Sequence, residues 1–226
     1  MENEAIKLPT IKEQVYKIIK DKIIAGEIKP GEWLQESKLA RTLNVSRSPV
    51  REALKELVGE GLLENIPNKG VFVKILSKKD IYNIFEFREV MEKFAIERSV
   101  ELASEEDFEA LDKIFLRMKK KYDKNDVNEY CKIDTELHNR LFVMSRNELI
   151  FNLVKNVNPL LQPFRTISLS REGRFKESLD EHKGLIEGIK ERNCEKACKH
   201  NSIHLKLARD VIMDYLDSLN KSDSSE

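Results

Sequence analysis

The side chains with the most chemistry in this sequence are its histidines, and all four, His138, His182, His200 and His204, fall in the second half of the chain. Asp134 and His138 are spaced i, i+4, so on a helix both project from one face, as two ligands of one metal ion must. His182, in Glu181-His182-Lys183-Gly184-Leu185-Ile186, and His204, in Ile203-His204-Leu205, sit beside apolar residues on two further helical segments. A charged imidazole would be poorly solvated there. One carboxylate and three imidazoles suit zinc, nickel, manganese or iron, with the donor set leaning toward zinc or nickel. A competing cluster is Cys194-x3-Cys198-x-His200-x3-His204. At about 100° per residue, Cys198 and His204 lie roughly 120° apart around a continuous helix, so that run cannot close on one ion. The three cysteines, Cys131, Cys194 and Cys198, are an odd number in helix-like surroundings and are expected as free thiols.

A second concentration of chemistry lies in Val45-Ser46-Arg47-Ser48-Pro49-Val50-Arg51. Arg47 and Arg51 are four apart, hence on one helix face, and the planar fork of arginine suits guanine O6/N7 or a phosphate. Ser46 and Ser48 can donate to phosphates. Lys69 and Gly70, in Pro67-Asn68-Lys69-Gly70, would bring a cation and bare backbone to a groove edge. Two arginines on an exposed helix are also what a solvated face looks like, so the surrounding elements decide.

Apolar residues Ile11, Val15, Ile18, Ile19 and Ile23 run at helical spacing until Gly26. Ser37 is expected to cap a short helix through Leu43, closed by Asn44 in the left-handed region. Ser46 caps the next helix, with Pro49 in its first turn and Val50, Ala53, Leu54 and Leu57 on its apolar side. Two short helices across a tight turn make a helix-turn-helix. Leu62–Ile66 and Val71–Ile75 then flank a Pro/Asn/Gly turn as a hairpin, the wing, with Lys69 at its tip. Ser77-Lys78-Lys79-Asp80 is a capping box that opens the helical remainder, which divides the chain into residues 1–76 and 77–226. Further helices are expected from Ser104, over 127–145, over 148–162, and over 175–192 and 193–220, with an irregular stretch from Pro163 to Gly173. The fold class is mainly α: an N-terminal winged helix-turn-helix and a C-terminal antiparallel bundle of about six helices whose core can hold a ligand.

Composition bounds the rest. The 226 residues carry 40 Lys+Arg against 40 Asp+Glu and are 40% hydrophobic, enough for a packed core and too balanced for a protein that coats nucleic acid at random. No apolar run reaches the ~18 residues of a membrane span, and Met1–Lys7 is acidic where a secretory signal is basic, so a cytoplasmic location is expected. The sequence has no His-Glu-x-x-His, no ordered Ser-His-Asp set and no phosphate-cradling glycine loop, so it is not expected to be an enzyme. The alternative is a metalloenzyme acting on a small organic acid through the same Asp/His set.

Gly31-Glu32-Trp33-Leu34, Glu36 to Leu39-Ala40, and Val45-Ser46-Arg47-Ser48-Pro49-Val50-Arg51-Glu52-Ala53-Leu54 with Glu60-Gly61-Leu62 resemble the winged-helix domain of GntR-type transcriptional regulators. The resemblance implies that Arg47 and Arg51 contact operator DNA, with Ser46 and Ser48 on phosphates and Lys69-Gly70 in a groove. Where some relatives carry an arginine at the start of the second helix, this chain has Ser37 and Lys38. Asp134-x3-His138, Glu181-His182 and His204-Leu205 likewise resemble the FCD ligand-binding domain of the FadR branch, so that the likeness spans nearly all of residues 11 to 219. It implies Asp134, His138, His182 and His204 as ligands of a divalent metal, with His200 one turn away as a substitute. Arg88, in Phe87-Arg88-Glu89-Val90-Met91-Glu92, matches a family arginine facing the effector cavity; a surface ion pair with Glu92 is its other reading. The implied function is a ligand-responsive repressor: a homodimer on double-stranded operator DNA, controlled by a small carboxylate effector.

Overall fold

A computed structural model, which describes residues 8–24 and 26–222, divides the chain into two compact units between Ile75 and Leu76. Met1–Lys7, whose acidic character bears on the expected location, lie outside the described residues.

The first unit is built on α1 (Ile11–Ile24), β1 (Trp33–Leu34), α2 (Glu36–Thr42), α3 (Arg47–Gly59), β2 (Leu63–Ile66) and β3 (Gly70–Val73). Val15, Ile19 and Ile23 of α1 are buried, as are Val50, Ala53, Leu54 and Leu57 of α3. Ile11 and Ile18 face solvent, so the core stripe of α1 is narrower than its apolar spacing suggests. Asn44 adopts φ 53°, closing the turn between α2 and α3. Gln35, not Ser37, is the N-cap of α2, because the Lys38 and Leu39 amides both close on the Gln35 carbonyl. The wing is a three-stranded antiparallel sheet in the order β1-β3-β2. The two-residue β1 is too short to leave a period-2 signature in the sequence. Trp33, paired with Phe72 and stacked on it at 6.3 Å, holds that strand in place. Gly70 has φ 109°, and a Cβ there would stand 2.7 Å from Trp33 Nε1, so both backbone and space demand glycine.

The second unit contains α4 (Lys78–Leu102), α5 (Glu105–Asp123), α6 (Val127–Met144), α7 (Glu148–Val157), a 3-10 turn (Asn158–Leu161), α8 (Gln162–Ser168), α9 (Arg174–Lys190) and α10 (Cys194–Ser222). Ser77 with Asp80 and Ser104 with Asp107 form reciprocal capping boxes at the starts of α4 and α5. Of the stretch from Pro163 to Gly173, expected to be irregular, the part to Ser168 belongs to α8, with proline in its first turn where no helical N–H bond is lost, while Leu169–Gly173 is non-helical as expected. Gly184 and Gly188 let α9 and α10 approach closely. A Cβ at Gly188 would fall 2.6 Å from the Ala197 amide nitrogen, and one at Gly184 would collide with the His200 ring. Two apolar clusters fill the bundle, one around Ile96, Leu111, Leu137, Leu141 and Ile189, the other around Ile81, Phe85, Leu161, Leu205 and Ile212.

Candidate metal centre and nucleic-acid interface

The N-terminal end of α3 is presented to solvent because its opposite face carries Val50, Ala53, Leu54 and Leu57 into the core. Ser46, the N-cap, makes no side-chain capping bond, and Ser46, Arg47, Ser48 and Arg51 are all exposed. The Arg51 guanidinium is held by Glu36 of α2, its Nε at 3.1 Å and Nη2 at 3.0 Å from the carboxylate. Arg47, Arg51 and Lys55 recur at i, i+4, i+8 and line one concave surface with Trp33, Asn65 and Gly70. Its volume is about 580 Å³. Lys55 went unnoticed in the sequence although its spacing continues that of the arginines. Lys69 stands exposed at the wing tip, beside Asn68 at φ 61° and Gly70.

In the second unit, α6, α9 and α10 bring Asp134, His138, His182 and His204 together, all buried, with one ligating atom from each within 4.8 Å of the others. Asp134 Oδ1 is the centre: the Nε2 atoms of His182, His138 and His204 stand 3.1, 3.7 and 3.8 Å from it. Each imidazole is fixed through its other nitrogen. His138 Nδ1 lies 2.9 Å from Glu92 Oε2, and His204 Nδ1 lies 2.9 Å from Glu181 Oε2. His182 Nδ1 lies 3.2 Å from the Tyr130 hydroxyl, which itself reaches Ser178 Oγ at 3.2 Å. Glu92, held ionised by Arg88, can only accept, so His138 donates from Nδ1 and turns its Nε2 lone pair inward; His204 Nδ1 faces both Glu181 and, at 3.4 Å, Arg174 Nη2. Nε2 of His138 and of His182 makes no hydrogen bond among the described residues. Burial, aided by neighbouring imidazoles and Arg174, holds His182 and His204 well below the ordinary histidine range, which keeps them neutral. Three imidazole Nε2 atoms turned toward one carboxylate are a donor set that fits a divalent transition metal.

An outer layer of arginines completes the arrangement, and most of it was invisible in the sequence. Arg88 Nε donates to Glu92 Oε1 at 2.8 Å. That pair was expected on the surface if it formed at all; it is buried, because α4 turns this face toward α6 and α10. Burial alone would raise the Glu92 carboxyl, but Arg88 and His138 outweigh it and hold the group well below the usual carboxylate range. Arg174, completely buried, reaches both Glu181 oxygens at 3.1 and 2.8 Å. Burial nevertheless pushes Glu181 up to about 7, against the pull of Arg174. Arg165 of α8 donates to Asp134 Oδ2, leaving Oδ1 to the imidazoles. Its only sequence signal is a basic residue in an apolar run, Leu160 to Ile167. Arg88, Asp134, Arg165 and His204 also line an adjoining cavity of about 20 Å³. His200 stays outside the cluster, its ring lying over Gly184. The three cysteines are free thiols.

The FCD domain model matches residues 83–207, and the model of bacterial regulatory proteins of the gntR family matches residues 11–73. An uncharacterized HTH-type transcriptional regulator of Bacillus subtilis, YdhC, is 32% identical over 192 residues, covering 84% of this chain and 86% of that protein. The gluconate operon transcriptional repressor of Bacillus licheniformis is 34% identical over 179 residues, 76% of this chain and 72% of that protein. The solved structure of E. coli McbR/YncC superposes with a TM-score of 0.79 over 92% of this chain and 99% of its own, at 19% identity, and so shares the fold. No described helix is long and apolar enough to cross a membrane. The chain belongs to the GntR family of bacterial regulatory proteins, a DNA-binding transcriptional regulator with an FCD domain and not an enzyme.

Proposed function

We propose that this regulator is a cytoplasmic repressor that binds a two-fold operator as a homodimer and releases or retains it according to a metal-bound carboxylate effector. Ser46, Arg47, Ser48, Arg51, Lys69 and Gly70 are its DNA contacts. Asp134, His138, His182 and His204 hold one divalent ion, zinc or nickel by the softness of three nitrogens and one oxygen. The single observation that carries the reading is the convergence of three Nε2 atoms on Asp134 Oδ1 while every Nδ1 is occupied by an outer partner. When bound, the ion supplies open coordination positions and Lewis acidity for an acid oxygen. Arg88 holds the same acid through Nη2, the nitrogen left without a partner by its pairing with Glu92. Regulation requires the acid to bind two arrangements of the helical domain with different affinity. The repressor sense follows the name of the gluconate operon relative. The dimer draws support from an open groove on α5, α6 and α7 that includes Leu116, Val143 and Phe151.

Elemental analysis of the purified chain beside Asp134→Ala and His182→Ala tests the metal centre. About one zinc or nickel per chain, lost in both variants, is expected. Equal metal in all three proteins, or none in the parent after incubation with zinc and nickel, would remove the centre and leave the DNA-binding half standing.

A further inference from the structure

Three arginines surround the imidazole cluster, and each is paired with one buried acid: Arg88 with Glu92, Arg165 with Asp134, Arg174 with Glu181. With the imidazoles neutral, as metal ligands must be, these buried pairs carry no surplus negative charge. A divalent ion held among them therefore leaves two positive charges that no described buried acid of the cluster offsets. Uncompensated buried charge is costly, so the loaded site favours an anion, and a single carboxylate cancels only half of the excess.

The donors for such an anion are already present and idle. Arg88 Nη2, Arg165 Nε and Arg165 Nη2 are buried with no hydrogen-bond partner among the described residues. Both guanidiniums line the cavity beside Asp134 and His204, together with Ser168 and Ser178. At about 20 Å³ this cavity has room for little more than one water, so an organic guest requires a wall to move. Arg165 is the wall best placed to do so. It projects from the seven-residue α8, and its partner Asp134 is the one acid whose charge is shared once an ion is held. Two separate guanidiniums with free N–H groups suit two separate acid groups better than one compact anion, since each planar fork accepts one carboxylate.

We propose that Arg88 and Arg165 are two arms of a clamp, and that the effector is a small organic acid bearing two acid groups, for which Arg165 sets the preference over a monoacid. The inference rests on the metal centre proposed above and names the class of acid it serves. The test titrates the zinc-loaded full chain with succinate, propionate and inorganic phosphate by calorimetry, in the parent, Arg165→Gln and Arg165→Lys. Succinate is expected to bind the parent at least about tenfold more tightly than propionate, the size of one charge-assisted hydrogen bond. That preference should fall below about twofold in Arg165→Gln, with zinc retained, and lie between the two in Arg165→Lys. The Lys variant keeps a cation beside Asp134 and decides the matter if the Gln variant loses zinc. No preference in the parent, a preference that survives both substitutions, or tighter binding of phosphate than of succinate overturns the clamp while leaving the metal centre intact. A parent that takes up no zinc overturns both.

Discussion

Arg51 and Arg174 are both paired with a glutamate, but the first stands 57% exposed between two helices of the winged unit and the second is entirely buried in the helical unit. Water can replace either partner of the Arg51–Glu36 pair, so the guanidinium is free to exchange Glu36 for a phosphate or a base at little cost. Arg174 has no such alternative. Its removal strands Glu181 in the interior and takes the anchor from His204, whose carbonyl lies 3.3 Å from Arg174 Nη2. On the proposed reading the same residue type is an instrument of binding in one half and a part of the frame in the other. The contrast is open to breakage by paired substitutions. Arg174→Met is expected to destabilise the helical unit by about 3–5 kcal/mol, the usual cost of orphaning a buried ion. Arg51→Ala should stay within about 0.5 kcal/mol of the parent. Urea denaturation of the full chain measures both, and similar midpoints for the two variants would dissolve the distinction.

Between these extremes lies Glu92, which pairs with Arg88 and, on the proposed reading, orients the metal ligand His138. Glu92→Gln keeps the shape and a hydrogen-bond acceptor for His138 Nδ1 but removes the charge that raises the ligand's basicity. Zinc affinity should fall by roughly 10–100-fold, the usual effect of losing an outer-layer partner. Competition with a chromophoric chelator reads this directly. An unchanged affinity would mean that Glu92 serves Arg88 alone.

The two halves also differed in how much of them could be read in advance. The winged helix was legible because its signals are local: Asn44 closes a turn, Ser46 and Pro49 start a helix, and Gly70 ends a turn within a few residues of what it serves. Its one hidden element, β1, owes its place to a cross-strand contact between Trp33 and Phe72, residues far apart in sequence. The donor set Asp134, His138, His182 and His204 was legible because histidine is scarce here, at four in 226 residues. Glu92, Glu181, Arg165 and Arg174 were not, since acids and bases make up 35% of the chain and nothing local marks the buried ones. Their roles come from packing: α9 lies close to α10 only because Gly184 and Gly188 allow it. The helix at Gln162–Ser168 is hidden in the sequence because its proline has the look of a breaker but is a first-turn residue.

On the DNA side, Arg51→Ala should weaken operator binding by about 1–3 kcal/mol and relax preference at one base position, if the guanidinium leaves Glu36 for a guanine edge. Fluorescence anisotropy against a set of single-base operator variants distinguishes this from a uniform loss, which would assign Arg51 to a phosphate.

Lys69 supplies the smallest effect and the cleanest opposite to Arg174. It stands in solvent at the wing tip, where Asn68 and Gly70 both take positive φ and set the backbone path. If Lys69 contacts DNA as proposed, it does so as a point charge, with no fork to match a base. Its contribution is then the release of about one counterion from the phosphate backbone. Lys69→Ala should leave stability and base preference unchanged and lower the slope of log affinity against log salt by about 1. Equal slopes for parent and variant would place the wing tip away from the DNA, and confine the contact to α3 and its arginine-lysine stripe.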